Sequence, residues 1–234
     1  MSNRRLQRSK MLLQRLVPAK VVKSQLHRHV YVQFADKLGL VYFGYVDQRN
    51  DEHQLVRGLT VSATHRDNHY CIGSFEGYDV ALVERTDTIR FPGKSPKVQD
   101  SIIMSFDLQR LVDLPHVFIG LHTQGDAFYA QLFTKFAHFQ PVQLLGVDGY
   151  DKSFTGKYSM YAKPTQALSA SRLFHPEVTK VIAERFGGLT VEISNSTLYL
   201  YAEHQRPTLV ILEKMLGYGV WLAKTIDHGS DGVR

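Results

Sequence analysis

The chain has 234 residues, 44% of them hydrophobic and 21% charged, a composition that suits a globular fold with a sizeable core and excludes collagen-like or low-complexity chains. Its one cysteine, Cys71, excludes an intrachain disulfide framework, and no uncharged apolar run approaches the roughly 18–20 residues that cross a bilayer. The net charge of +6 is uneven, because residues 1–30 carry Arg4, Arg5, Arg8, Lys10, Arg15, Lys20, Lys23 and Arg28 with no acid, leaving −2 on the remainder.

In chain order, Leu6, Leu13, Leu16 and Val17 share one helical face among basic residues, and Pro18 disfavours helical geometry before it. Residues 5–17 are therefore expected to form a short basic amphipathic helix, followed by a connector to about His27. Met11–Val17, interrupted by Gln14 and Arg15, is too short for a signal peptide, so the chain is expected to be soluble and cytoplasmic. Strands are expected at 38–46, 55–63, 70–75, 78–85, 101–106 and 116–121, with a polar tip at His65–Asn68 and an exposed loop over 90–100. After Gly125 the period lengthens. Phe128, Leu132, Phe136 and Phe139 predict a helix capped by Asp126 and stopped by Pro141. Strands at 142–147 and 154–162 precede the clearest helix, which opens on Pro176 and Glu177 and closes at Gly187-Gly188. A hairpin over Ser194-Asn195-Ser196 joins strands at 189–193 and 197–201, and a last helix runs from Pro207 to about Ile226. Gly217 and Gly219 each weaken that helix by about 1 kcal/mol.

Strands first, then strands mixed with helices, predict an α+β fold: a mostly antiparallel sheet with three packed helices behind an N-terminal basic amphipathic helix. The expected organisation is a tail over 1–26, one domain over 27–226 and a frayed C-terminus over 227–234. Ser74-Phe75-Glu76-Gly77-Tyr78 and Ser153-Phe154-Thr155-Gly156-Lys157-Tyr158 echo each other. Duplicated halves, about 27–113 and 114–226, would explain the echo, and so would chance.

Asp148, Phe154, Tyr158, Met160-Tyr161-Ala162, Leu173-Phe174-His175-Pro176 and the pair of strands from Ile193 to Tyr201 occur in an order that resembles a bacterial family catalogued as domain of unknown function 3137. Phe75-Glu76-Gly77-Tyr78-Asp79-Val80 is similar to a further strand of that family. The resemblance covers about half the chain and rests on packing residues. It implies a fold but no activity and no site residues. Many members of that family carry transmembrane helices before this domain, where this chain has the basic amphipathic segment.

His65, Asp67, His69 and Cys71 recur at every second position. On an extended strand they would share one face, with side chains competent for zinc. The competing reading makes His65–Asn68 a turn and Cys71 a small buried hydrophobe. His27 and His29 belong to the basic connector, His116 and His122 flank a strand, and His175 precedes the helix that opens on Pro176. Glu84, Arg85 and Asp87 read as solvated charges at a strand end. No nucleophile elbow, phosphate loop or dinucleotide fingerprint occurs, so neither a catalytic residue nor a cofactor is expected. Tyr42, Phe43, Tyr45, Tyr199 and Tyr201 could stack on bases, although aromatic residues in strands more often pack internally.

The N-terminal cations carry the functional expectation. Eight positive charges with an apolar face fit an anionic membrane surface or membrane-protein partner, and the same charges would also fit nucleic acid. A third reading has the helix lying on its own domain with its charges solvated. The expectation is a non-catalytic binding or scaffolding module, with an enzyme of unfamiliar site as the remaining alternative.

Overall fold

The computed structural model describes residues 19–45, 66–89, 95–110, 113–123, 139–143 and 149–229. The expected amphipathic helix at 5–17, the strand at 55–63, the helix at 126–139 and most of the strand at 142–147 lie outside the described residues.

The first described element is helix α1 (Ala19–Leu38), where a connector was expected as far as His27. A proline disfavours helical geometry only in the residue before it, so Pro18 in the sequence does not oppose a helix over the residues that follow. Tyr31, Phe34 and Ala35, spaced i, i+3, i+4, are fully buried. Gly39, at φ +71°, closes the helix, with Leu40 N–H donating to the Ala35 carbonyl at 2.9 Å.

Among the described residues nine strands follow: β1 (Val41–Tyr45), β2 (Arg66–Phe75), β3 (Tyr78–Ile89), β4 (Lys97–Asp107), β5 (Val117–Leu121), β6 (Gln140–Pro141), β7 (Tyr158–Ala162), β8 (Thr190–Ser194) and β9 (Thr197–Glu203). They form one sheet in the order β1-β2-β3-β4-β9-β8-β5-β7-β6, and each neighbouring pair is antiparallel. Between β5 and β9 the chain also forms α2 (Lys152–Thr155), a 3₁₀ turn at Pro164–Gln166, α3 (Ala167–Leu173) and α4 (Pro176–Arg185); α5 (Leu209–His228) ends the fold. The architecture is α+β. Five α-helices stand among the described residues where three packed helices were expected. Two of the expected helices are α4 and α5, and the third, at 126–139, lies outside the described residues; α1 falls on the predicted connector, and the short α2 and α3 were not expected.

Two tight hairpins set much of the register. Glu76-Gly77 and Asn195-Ser196 have positive φ at both central residues, the condition of a type I′ turn. The two Ser-Phe segments of the echo differ locally: one enters the β2–β3 turn and the other forms α2.

Alternation divides the sheet into two faces. Val80, Leu82, Ile102, Met104, Leu198 and Leu200 face a core shared with all five helices. Tyr70, Ala81, Val83, Ile103, Phe118, Tyr161, Tyr199 and Tyr201 form a second buried cluster on the opposite face. Both edges are short or irregular. β6 has two residues and contains Pro141, while β1 is interrupted on both sides of Gly44, which has φ +71°.

Three local expectations need correction. The predicted polar tip at His65–Asn68 is strand from Arg66 onward, because Arg66–Asn68 pair with Glu84–Thr86 of β3. β4 begins at Lys97 inside the predicted loop, and residues 154–157 are helical or turn because the Asp151 carboxylate caps α2 by accepting the Ser153 N–H at 2.6 Å.

Candidate functional site

A polar cluster joins the N-terminal half of α1 to β1, β2 and β3. Both Glu84 carboxylate oxygens lie 2.9 Å from His27 Nδ1, linking α1 to mid-β3 across 57 residues of sequence. His69 Nε2 is 3.9 Å from Glu84, and the Tyr42 hydroxyl on β1 is 2.9 Å from His69 Nδ1. The His69 ring stacks on Tyr31 of α1 at 4.9 Å. Burial raises the Tyr42 pKa, and the charge of Arg28, exposed on α1, opposes that rise.

A backbone irregularity creates this arrangement. β2 shifts register between Asn68 and Cys71, with His69 at φ +57°. A residue inserted into the ladder reverses the faces beyond it. His69 and Cys71 therefore point to the helix side, whereas Asp67 points to the opposite face. There the Asp67 carboxylate accepts from Arg85 Nε at 2.7 Å and Nη2 at 2.6 Å. The alternative of a shared zinc face of His65, Asp67, His69 and Cys71 meets two obstacles: His65 lies outside the described residues, and Asp67 is on the opposite face, bound to Arg85. No group of three or more His, Cys, Asp or Glu able to hold a metal exists among the described residues.

The electrostatics suit an anchor. Burial, followed by the nearby charge of His27 and Arg28, lowers the His69 pKa to about 4, so the ring is neutral near pH 7. Burial pushes the Cys71 thiol up to about 12, and its side chain is fully buried, as the small-hydrophobe reading expected. The cluster thus lacks an activated nucleophile in Cys71. What it does is fix α1 to the sheet where the basic segment meets the body.

The second sheet face carries another buried polar group, where solvated strand-end charges were expected. Arg85 and Asp87 are 1% and 6% exposed. Burial opposes the charge on Arg85, but the hydrogen bonds and charge of Asp67 outweigh that and raise its pKa. Glu192, 1% exposed, accepts from the Tyr201 hydroxyl and lies 2.8 Å from His116 Nε2. Tyr199 and Tyr201 are buried in this layer and offer no stacking platform for bases. Phe43 and Tyr45 are more than half exposed at the β1 edge.

Of the predicted anion-binding residues, Arg4, Arg5, Arg8, Lys10 and Arg15 lie outside the described residues. Lys20 and Lys23 belong to the first turns of α1, and Arg28 is exposed one turn further on. The sequence reading missed His27 and Glu84 as partners. One signal was present: Glu84 interrupts the apolar run Val80–Val83, and a carboxylate in such a strand requires a partner.

No helix among the described residues is long and apolar enough to cross a membrane. No family model matches the chain, and no curated protein matches it in sequence. Its structure is similar to the crystal structure of the mycobacterial trehalose monomycolate transport factor A, TtfA, with a TM-score of 0.53 and 8% identity over 86% of this chain and 93% of that one. At that identity the likeness is one of fold.

Proposed function

We propose that this protein is a non-catalytic binding module that docks to an anionic membrane surface through its basic N-terminal segment, Arg4 to Arg28, and presents its body to a partner there. The observation that carries this reading is the charge distribution: eight cations and no acid in the first 30 residues, against −2 on the rest. The fold supports it mechanically. The segment leads into α1, whose N-terminal half keeps Leu26 and Arg28 exposed while His27 is bound to Glu84, so a force on the segment is transmitted to the sheet. The mycobacterial protein of similar fold is described as a transport factor, which agrees with a role other than catalysis.

Flotation with phosphatidylglycerol vesicles tests the proposal. Each cation near an anionic surface contributes about 1 kcal/mol, so changing Arg4, Arg5, Arg8, Lys10 and Arg15 to Gln should weaken partitioning by about a thousandfold or more. The intact, nuclease-treated chain should float, and high salt should release it. Equal flotation of the five-residue variant, or none by either protein, overturns the reading. Steeply salt-dependent binding to RNA or DNA in place of vesicles would assign the same charges to nucleic acid.

A further inference from the structure

A groove runs along the outer side of the helical layer between α4 and α5. It comprises two continuous hollows of about 660 and 540 Å³ that share Val181 and Trp221 in their lining. Its floor is aromatic and firmly held. Buried Phe186 stacks on Tyr218 at 5.0 Å and meets Trp221 edge-on at 6.0 Å. Gly217 leaves the middle open, since a Cβ there would meet nothing within 4 Å. The lining of α5 extends from Val210 to Thr225, about 22 Å or four helical turns.

The rim gives this apolar channel a sign. The two acids among its described lining residues are engaged: Glu213 accepts from Lys37 of α1 at 2.6 Å, and Glu177 lies 2.5 Å from His175 Nδ1. Its cations Arg172, Arg185 and Lys214 make no ion pair or hydrogen bond with any described residue. A long apolar trough bordered by positive charge that no described residue pairs complements a helix with one apolar stripe and acidic flanks.

We infer that the α4–α5 groove is a docking site for an acidic amphipathic helix of a partner protein. The partner's apolar residues, spaced i, i+3/i+4, i+7, lie over Val181, Tyr218 and Trp221, one of them entering the gap above Gly217. Its carboxylates meet Arg172, Arg185 and Lys214. None of the N-terminal cations lines this groove, so the inference does not rest on docking of the N-terminal segment.

Trp221 is the only tryptophan in the chain and reports occupancy directly. The probe is a helical peptide of about 16 residues with a Leu stripe and Glu flanks, free of tryptophan, added to the full chain. It should change Trp221 emission saturably, and the same peptide with Lys for Glu should not. An R185Q/K214Q double variant should weaken binding about tenfold or more. Gly217→Phe should abolish binding with the circular dichroism unchanged; the exposed double variant keeps the test decisive if Gly217→Phe alters the fold. Three results would overturn the inference: no response to the acidic peptide, equal affinity of R185Q/K214Q and the parent chain, or an equal response to the basic peptide. A Trp221 response to phosphatidylglycerol vesicles but not to the peptide would also overturn it, by assigning the groove to a membrane surface.

Discussion

His69 spends its burial on a neutral ring. An unfolded imidazole titrates near 6.5, whereas in the fold burial, then His27 and Arg28, hold it to about 4. Between those two values the unfolded chain binds the proton and the native protein does not. The native contribution is therefore complete above about pH 6.5 and is lost as pH falls toward 4, by an amount of about 3 kcal/mol. His69→Gln, which still offers Tyr42 a hydrogen-bonding partner, should remove that part of the acid sensitivity. Urea unfolding of both proteins at about pH 7 and pH 4.5 checks this, and parallel losses of stability would refute it. The Asp67–Arg85 pair, with both side chains 1% exposed, behaves differently. Deleting one partner strands a buried charge, so Asp67→Ala should cost about 3–5 kcal/mol by denaturant unfolding. Replacing both with apolar residues, as in an Asp67→Leu, Arg85→Met double variant, should recover most of that loss, because the pair's attraction and its desolvation nearly offset each other. A double variant no more stable than Asp67→Ala would show that other contacts of Arg85 dominate.

At the scale of elements, α5 shows how much packing decides. Gly217 and Gly219 look alike in sequence, each weakening the helix by about 1 kcal/mol relative to Ala. A Cβ on Gly217 meets nothing within 4 Å, whereas one on Gly219 would sit 2.1 Å from the ring of buried Phe106 in β4. Gly217→Ala should therefore stabilise the protein by about 0.5–1 kcal/mol, and Gly219→Ala should destabilise it by about 1–3 kcal/mol. Thermal or urea unfolding distinguishes the two, and shifts of the same sign would mean that α5 moves freely against β4. The same contrast explains what was legible beforehand. α4, α5 and the β8–β9 hairpin announce themselves through local chemistry: Pro176 at a helix start, Thr208 accepting the Ile211 N–H at 3.2 Å, and Asn195-Ser196 in a tight turn. α1 was hidden because its buried face, among the side chains described, is Tyr31, Phe34, Ala35 and partly buried neighbours, set among basic and polar residues that read as a connector. The polar cluster was hidden for a different reason. The irregularity at His69 moves Asp67 to the other face, and residues 27 and 84 meet only through tertiary contact. Strict two-residue alternation, on which the zinc alternative rested, fails wherever a strand carries an extra residue.

At the scale of the whole molecule, the seam between β4 and β9 governs how the protein unfolds. Residues Ser101 to Asp107 pair with Thr197 to Glu203 in seven consecutive registers. Met104 sits opposite Leu200 and Phe106 opposite Leu198 there, all four fully buried. The strands before residue 113 and those after it thus form one sheet, and α5, which follows β9, lays Gly219 against Phe106 of β4. Separating the two portions would expose both sides of the seam and leave seven backbone rungs unpaired, a cost comparable to the stability of a small domain. The two portions should therefore unfold together: calorimetry should show one transition whose measured and van't Hoff enthalpies agree. Met104→Ala should lower the midpoint of that single transition by removing 2–5 kcal/mol, in rough magnitude, of core packing, without splitting it. Two resolved transitions, or a Met104→Ala variant that divides one into two, would show that the portions are energetically independent despite the shared sheet. A single transition would also bear on docking, since force at the basic segment, carried through His27 and Glu84 into β3, would then be resisted by the whole sheet.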